Sequence, residues 1–293
     1  MRWATRAALG SALLLITAKA IAYAMTNSVS ILSSLADSAL DLMASTVNFI
    51  AVRHSLMPAD DAHTFGHGKA EPLSALAQSA FVAGAAVLLL VESISRFDSA
   101  QPLERGQVGI AVMVFSMVVT FVLVTFQRYV VRATNSTAIG ADALHYTGDI
   151  LMNLSVIVAL VLSTNYGIPW ADPVFGIGIA AYLVWNAWRI AQQAIGDLMD
   201  KELPQEDREK IDALARLHPK VKNVHELRTR KSGIYTFIQF HLVLDKSLSL
   251  LEAHRIADDV EKSVIAEFPG ADVIIHEDPE GVAEFHRPVG ADF

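Results

Sequence analysis

Six long apolar runs dominate the chain up to about residue 200: Arg6–Met25, Ser30–Val52, Leu73–Ile94, Val108–Val131, Ile139–Ser163 and Pro173–Ile195. Each can cross about 30 Å of hydrocarbon at 1.5 Å of rise per residue, so the pattern predicts six transmembrane helices. Asp172-Pro173 reads as the start of the sixth, with Asp as N-cap and Pro at the first helical position. Gly84, Gly176 and Gly178 are expected to let helices approach closely. After Asp197 the polarity rises and the period changes. Pro204–Leu217 reads as a helix, and Val221–Arg230 and Tyr235–Leu244 read as strands joined at Ser232-Gly233. Ser249–Phe268 reads as an amphipathic helix stopped by Pro269-Gly270, and Ala271–His276 as a third strand. The expected division is a six-helix transmembrane domain over residues 1–200 and an αββαβ domain over 201–293, with an unstructured tail after Glu280.

Composition agrees with membrane residence. The chain of 293 residues is 53% hydrophobic and 18% charged, with a mean hydropathy of +0.38. That is too apolar for a soluble domain of this length. Its net charge of −8 and the lack of a basic patch with interleaved aromatics exclude a nucleic-acid partner. The absence of cysteine excludes disulfides and thiolate metal sites. Basic residues set the orientation. Arg2, Arg6, Arg53, Lys69, Arg128 and Arg132 fall on one side, while Arg96 and Arg105 on the other are balanced by Asp98 and Glu104. Both termini are therefore expected in the cytoplasm, in agreement with an even number of spans. Met1–Arg6 followed by an apolar run and Ala18-Lys19-Ala20 is similar to a cleaved signal peptide. The run continues through Met25, which favours a retained first span.

Polar residues inside the runs carry the candidate chemistry. Asp37 and Asp41 interrupt the second run, His145 and Asp149 the fifth, and both pairs have i,i+4 spacing on one helix face. An ionisable group at membrane depth costs about 2.5–3.5 kcal/mol or more. Three carboxylates and one imidazole suit a divalent cation in a tetrahedral shell. Four unrelated residues satisfied by helix–helix hydrogen bonds are the plainer alternative, and two matched pairs on separate helices argue against it. Asp142, three residues before His145, reads either as a path or proton-relay residue or as an interfacial one. In the loop Pro58–Lys69, Asp60, His63 and His67 have ligand-like spacing, and Gly66 and Gly68 permit a tight turn, although charged loops between spans are common. In the C-terminal domain His225 and His241 lie on adjacent strands, His276 and Asp278 close the third, and His254 stands on the second helix. His54, His218 and His286 lack such company and read as ordinary surface or interfacial residues.

The stretches LADSALDLMAS (Leu35–Ser45), PADDAHTFGHGKAE (Pro58–Glu71) and ADALHYTGD (Ala141–Asp149) resemble the cation diffusion facilitator family. The match is nearest its bacterial zinc- and iron-efflux branch, the YiiP-like proteins. LRTRKSG (Leu227–Gly233) and DVIIHEDP (Asp272–Pro279) extend it through the cytoplasmic domain, so the resemblance covers essentially the whole chain. It implies a homodimer of six-helix protomers with a metallochaperone-like cytoplasmic domain, exchanging metal for protons across the inner membrane. By resemblance, Asp37, Asp41, His145 and Asp149 form the transport site, and Asp60, His63 and His67 the loop site. His225, His241, His276 and Asp278 match a binuclear site near the cytoplasmic dimer interface, with His254 at its second metal. Lys69 and Asp200 match a charge pair that ties the membrane halves together. Glu277 departs from the family pattern, where relatives often carry Gln.

The expected activity is export of a divalent metal by alternating access, with Zn²⁺ as cargo and regulatory ligand. An imidazole in the site favours Zn²⁺ and Cd²⁺ over Mn²⁺ and Mg²⁺, while Fe²⁺ and Co²⁺ stay open. A membrane sensor that binds metal without moving it is the alternative from another class, as is an exporter preferring Fe²⁺ or Mn²⁺. An intramembrane metalloenzyme would use the metal to activate water. The chain has no HExxH helix and no general acid or base beside the quartet, so no enzyme is expected.

Overall fold

A computed structural model describes residues 1–26, 29–95, 107–166 and 170–282. The chain forms two compact units, Met1–Met199 and a second beginning at Asp200. The first is a bundle of α1 (Arg2–Thr26), α2 (Val29–Ser55), α3 (Ala70–Ser95), α4 (Gln107–Thr134), α5 (Thr137–Tyr166) and α6 (Ala171–Leu198). The second contains α7 (Gln205–Arg216), β1 (Asn223–Ser232), β2 (Tyr235–Leu244), α8 (Leu250–Glu267) and β3 (Ala271–Pro279). The Arg96–Arg105 loop used above for orientation, His286 and the tail after residue 282 lie outside the described residues.

The helical unit is apolar outside and polar within. Trp3, Leu88, Phe121, Val122, Trp185 and Trp188 are exposed, whereas Asn48, Gln78, Gln127 and Asp142 are buried. A bundle solvated by lipid gains nothing by hiding its large apolar side chains, and must pair its polar groups internally. Small residues form the contacts instead. Ala4, Ala8 and Ala12 recur every fourth position on the buried face of α1, which packs on α2 and α4. Five windows are long and apolar enough to cross a membrane among the described residues: Arg2–Met25, Ser34–Ser55, Ala70–Ser95, Ala111–Thr134 and Pro173–Leu198. The sixth expected span, α5, is not among them. Its first half holds Asp142, His145, Thr147 and Asp149, and it packs against α2, α3, α4 and α6.

Local signals differ in places from the sequence expectation. The sixth helix begins at Ala171 after Trp170, so Asp172 lies in its first turn rather than at the cap. Of the three glycines expected at close approaches, only Gly176 is at one. A Cβ there would stand 2.1 Å from Ser93 Oγ of α3, whereas Gly84 and Gly178 face open space. Gly148 is a contact the sequence reading missed: a Cβ there would meet Leu183 of α6 at 3.1 Å. Asn135 ends α4 at φ +50°, a left-handed conformation that asparagine tolerates, and α5 starts two residues later.

In the second unit the strand order is β1-β2-β3. β1 pairs antiparallel with β2, and β2 pairs parallel with β3. A parallel pair needs a crossover, which α8 supplies. Ser249 caps α8: its side chain accepts from Glu252 N–H, while the Glu252 carboxylate accepts from Ser249 N–H. That bonding, led by the Ser249 side chain, holds the Glu252 carboxyl below the usual carboxylate range. One face of the sheet and the helices enclose Ile211, Val224, Ile238, Phe240, Leu242, Ile256, Val260 and Val264. Each such aliphatic side chain contributes about 1.5–3 kcal/mol when buried, so this unit has a core of its own. β3 runs to Pro279, three residues past the expected end, which brings Asp278 into register with Val243 of β2.

Candidate metal centres

Three groups of metal-type side chains converge among the described residues. Each offers ligand atoms lying within 4.8 Å of one another.

The first lies between α2 and α5. The i,i+4 spacing puts His145 and Asp149 on the face of α5 that meets Asp41. His145 Nε2–H donates to Asp41 Oδ1 at 2.8 Å, with the two side chains 10% and 16% exposed. Asp149 completes the group. Tetrahedral N/O ligands about 2.0–2.1 Å from zinc stand about 3.4 Å apart, so this set closes on an ion with small side-chain shifts. The Phe81 ring of α3 lies edge-on to the imidazole at 5.5 Å. Next to His145, Tyr146 exchanges a 2.8 Å hydrogen bond with Ser45 of α2. Asp37 stands one turn before Asp41 with its side chain exposed, and it is outside the convergent group. Asp142 faces the inside of the bundle. It is 1% exposed and accepts from Gln78 Nε2 at 2.7 Å and Gln127 Nε2 at 2.5 Å.

The second group is the loop between α2 and α3. Asp60 Oδ1 accepts the backbone N–H groups of His63 at 2.7 Å and Ala62 at 3.0 Å. Those bonds, the His63 N–H first, hold the Asp60 carboxyl below the usual carboxylate range, so it is ionised and ready to ligate at neutral pH. His67 Nε2 lies 3.3 Å from Asp60 Oδ2, and His63 Nδ1 3.3 Å from Asp60 Oδ1. His67 Nδ1–H donates to Pro58 O at 3.3 Å, which leaves Nε2 as the ligating nitrogen. Gly66 makes the turn at φ +79°. His54 does not stand apart as the sequence reading had it: its ring packs edge-on against His67 at 4.6 Å. Lys69 Nζ donates to the Leu198 carbonyl at 3.2 Å.

The third group is made by register. His225 pairs with His241 across β1 and β2, and His241 pairs with His276 across β2 and β3. Residues opposite one another share a face, so the three imidazoles form a row. Buried Asp278 sits beneath it. Its Oδ2 is 2.8 Å from His241 Nδ1 and 3.4 Å from His225 Nε2, and its Oδ1 is 3.2 Å from His276 Nε2. His276 is 65% exposed and borders a cavity of about 300 Å³ lined also by Glu226, Arg228 and His241. His254 is not brought to the row. It is exposed on α8, 3.7 Å from Asp258. Glu226 was missed in sequence. A bulge between His225 and Arg228 holds it at φ +51°, with Oε2 3.9 Å from His241 Nε2. Bulges re-aim side chains beside functional sites, but register shifts leave no mark in composition. Within this unit Arg230 pairs with Asp200 at 3.3 Å.

The cation efflux transmembrane domain model matches residues 5–199, and the model described as the cytoplasmic domain of cation efflux proteins matches residues 203–280. The chain is 48% identical over 275 residues to the cation-efflux pump FieF of Klebsiella pneumoniae, covering 94% of this chain and 91% of that one. It is 47% identical over 281 residues to FieF of Cronobacter sakazakii, covering 95% and 93%. Among solved structures, the metal-bound C-terminal domain of the CzcD transporter from Thermotoga maritima is 27% identical. It spans 28% of this chain and 100% of that domain, with a TM-score of 0.27. With both halves matched in order and ligand residues converging in each, the chain belongs to the cation diffusion facilitator family of cation-efflux membrane transporters.

Proposed function

We propose that the protein exports a divalent cation, Zn²⁺ before others, from the cytoplasm across the inner membrane in exchange for protons. The observation that carries this reading is the convergence of Asp41, His145 and Asp149 inside the helical bundle. Asp37, on the same face of α2, supplies the fourth ligand. A divalent ion entering this site displaces the proton shared by His145 and Asp41, because metal requires neutral imidazole and ionised carboxylate. Protons arriving from the other side restore that hydrogen bond and expel the ion. Metal and proton thus compete for the same atoms, which is what couples their opposite flows. Rocking of helices around the fixed site provides access to each side in turn. An imidazole among carboxylates ranks Zn²⁺ and Cd²⁺ above harder ions.

The remaining sites regulate. The Asp60, His63 and His67 loop takes metal at the membrane surface. The His225, His241, His276 and Asp278 row, with His254 contributing to a second metal, takes Zn²⁺ and steadies a homodimer in the cytoplasm, where both termini lie. The reading is tested by Zn²⁺ flux in proteoliposomes under a pH gradient. Asp41→Ala and Asp149→Ala should each abolish flux while the protein still inserts and dimerises. Near-wild-type flux in either variant removes this site from the mechanism, and wild-type protein that binds Zn²⁺ without moving it makes the chain a sensor.

A further inference from the structure

Lys19 is a buried basic residue of the helical unit with no ligand role. It lies in α1 seven residues before Thr26, about 10 Å along the axis at 1.5 Å per residue. A lysine near a helix end ordinarily stretches its ammonium toward the interface. Lys19 instead turns across to the neighbouring helix. It is 9% exposed, and its Nζ donates to Ser34 O at 3.1 Å and to Ser38 Oγ at 2.6 Å, both on α2. Ser34, Ser38 and Asp41 follow one another at i+4 and i+3, and so occupy the face of α2 that carries the metal-site carboxylates. The ammonium is within electrostatic reach of Asp37, Asp41 and Asp149, while its hydrogen bonds are made to uncharged oxygens. It is thus parked beside the site without occupying a ligand atom.

Charge counting gives this placement a purpose. Three ionised carboxylates, a neutral imidazole and a dication leave one negative charge in a medium where net charge is costly. One ammonium cancels it. Resting on the transport reading above, we propose that Lys19 is the built-in counter-cation of the intramembrane site: it makes the loaded site electrically neutral and keeps the ion loosely enough held to be released. Lys19 is therefore a positioning residue for charge, acting on the ion through space. Without it the dication meets three uncompensated carboxylates, binds more tightly and leaves more slowly.

The test separates charge from tethering. At pH about 8, where free carboxylates are ionised, Lys19→Met should lower KM for Zn²⁺ about tenfold, as loss of a unit charge at this range implies, and should lower turnover as well. Lys19→Arg should keep KM near wild type. Ser38→Ala removes one of the bonds that hold the ammonium but leaves the charge, and should also keep KM. An unchanged or raised KM in Lys19→Met overturns the proposal. So does an arginine variant that behaves like methionine, or a Ser38→Ala variant that reproduces it, since a structural tether would give those results. Equilibrium Zn²⁺ binding is read in parallel on the full chain carrying His63→Ala, His241→Ala and His276→Ala. Against that background Lys19→Met should tighten Kd by about the same factor. If the transport reading fails, wild-type flux is absent while this Kd shift persists. An unmoved Kd overturns the role of Lys19 whether or not the protein transports.

Discussion

His145 differs from the carboxylates around it in one respect that sets the behaviour of the whole site. As a ligand it would bind through nitrogen and only when neutral, while Asp41 and Asp149 would bind through oxygen. Nitrogen in the set is what separates zinc-like from manganese-like preference. His145→Asp should therefore lower the Zn²⁺ to Mn²⁺ flux ratio by about an order of magnitude, read by competition in proteoliposomes; an unmoved ratio places selectivity elsewhere. The 2.8 Å bond from His145 to Asp41 joins residues 104 apart in sequence, yet both were legible as candidates. The reason is physical. Charge at membrane depth is rare because it is expensive, so its pattern is readable without coordinates. What stayed illegible were residues whose role depends on where a neighbouring helix lies. Lys19 read as part of a signal-like tripeptide, and only its hydrogen bonds to Ser34 and Ser38 turn it toward the site. Asp37 and His254 read like their partners, but the structure leaves both outside the convergent groups.

At the scale of elements, the site depends on how α5 is held. Helix N-termini expose unpaired N–H groups, and the bilayer edge is a poor place to leave them. Here the carboxylate comes from another helix. Glu71, in the first turn of α3, is 3% exposed. Its carboxylate faces the Ser136 side chain and the backbone N–H groups of Thr137 and Ala138 at the start of α5. Glu71 follows His67 by four residues, and α5 carries His145 and Asp149, so this contact links two of the candidate metal groups. Losing it leaves buried donors unpaired, at about 1–3 kcal/mol. Glu71→Ala should lower the melting temperature of the detergent-solubilised protein and reduce Zn²⁺ flux, with Glu71→Gln intermediate; a wild-type melting curve for the alanine variant would show the cap to be idle. Sequence periodicity located the helices to within a few residues, since apolar length is a strong signal. It could not see a cap donated by a distant helix, nor that Gly148 and not Gly84 marks a close contact. Such contacts follow from helix rotation, which apolar runs without a polar face leave undetermined.

Across the whole molecule the two units solve different physical problems with the same ligand chemistry. The helical unit hides its polar groups and shows its apolar ones, whereas the second unit has a conventional core around Ile238, Phe240 and Val260 and so can be studied alone. Its histidines reach one another through strand register: His225 opposite His241, and His241 opposite His276. A metal held across three strands ties the sheet edge to its centre, and anything that binds the folded state alone raises stability by mass action. At a free Zn²⁺ concentration one hundred times Kd the gain is about 2.7 kcal/mol. A fragment beginning at Leu203 should therefore melt at a higher temperature with Zn²⁺ than with a chelator. The difference should shrink in acid, because metal and proton compete for the same imidazole nitrogens. His241→Ala combined with His276→Ala should erase the shift and leave the metal-free melting temperature close to that of the parent, because both side chains lie on the face of the sheet opposite the packed core. A double variant that still gains full stability from Zn²⁺ would move the ligands away from this row. If instead the shift survives only when His254 is intact, the exposed face of α8 holds metal of its own.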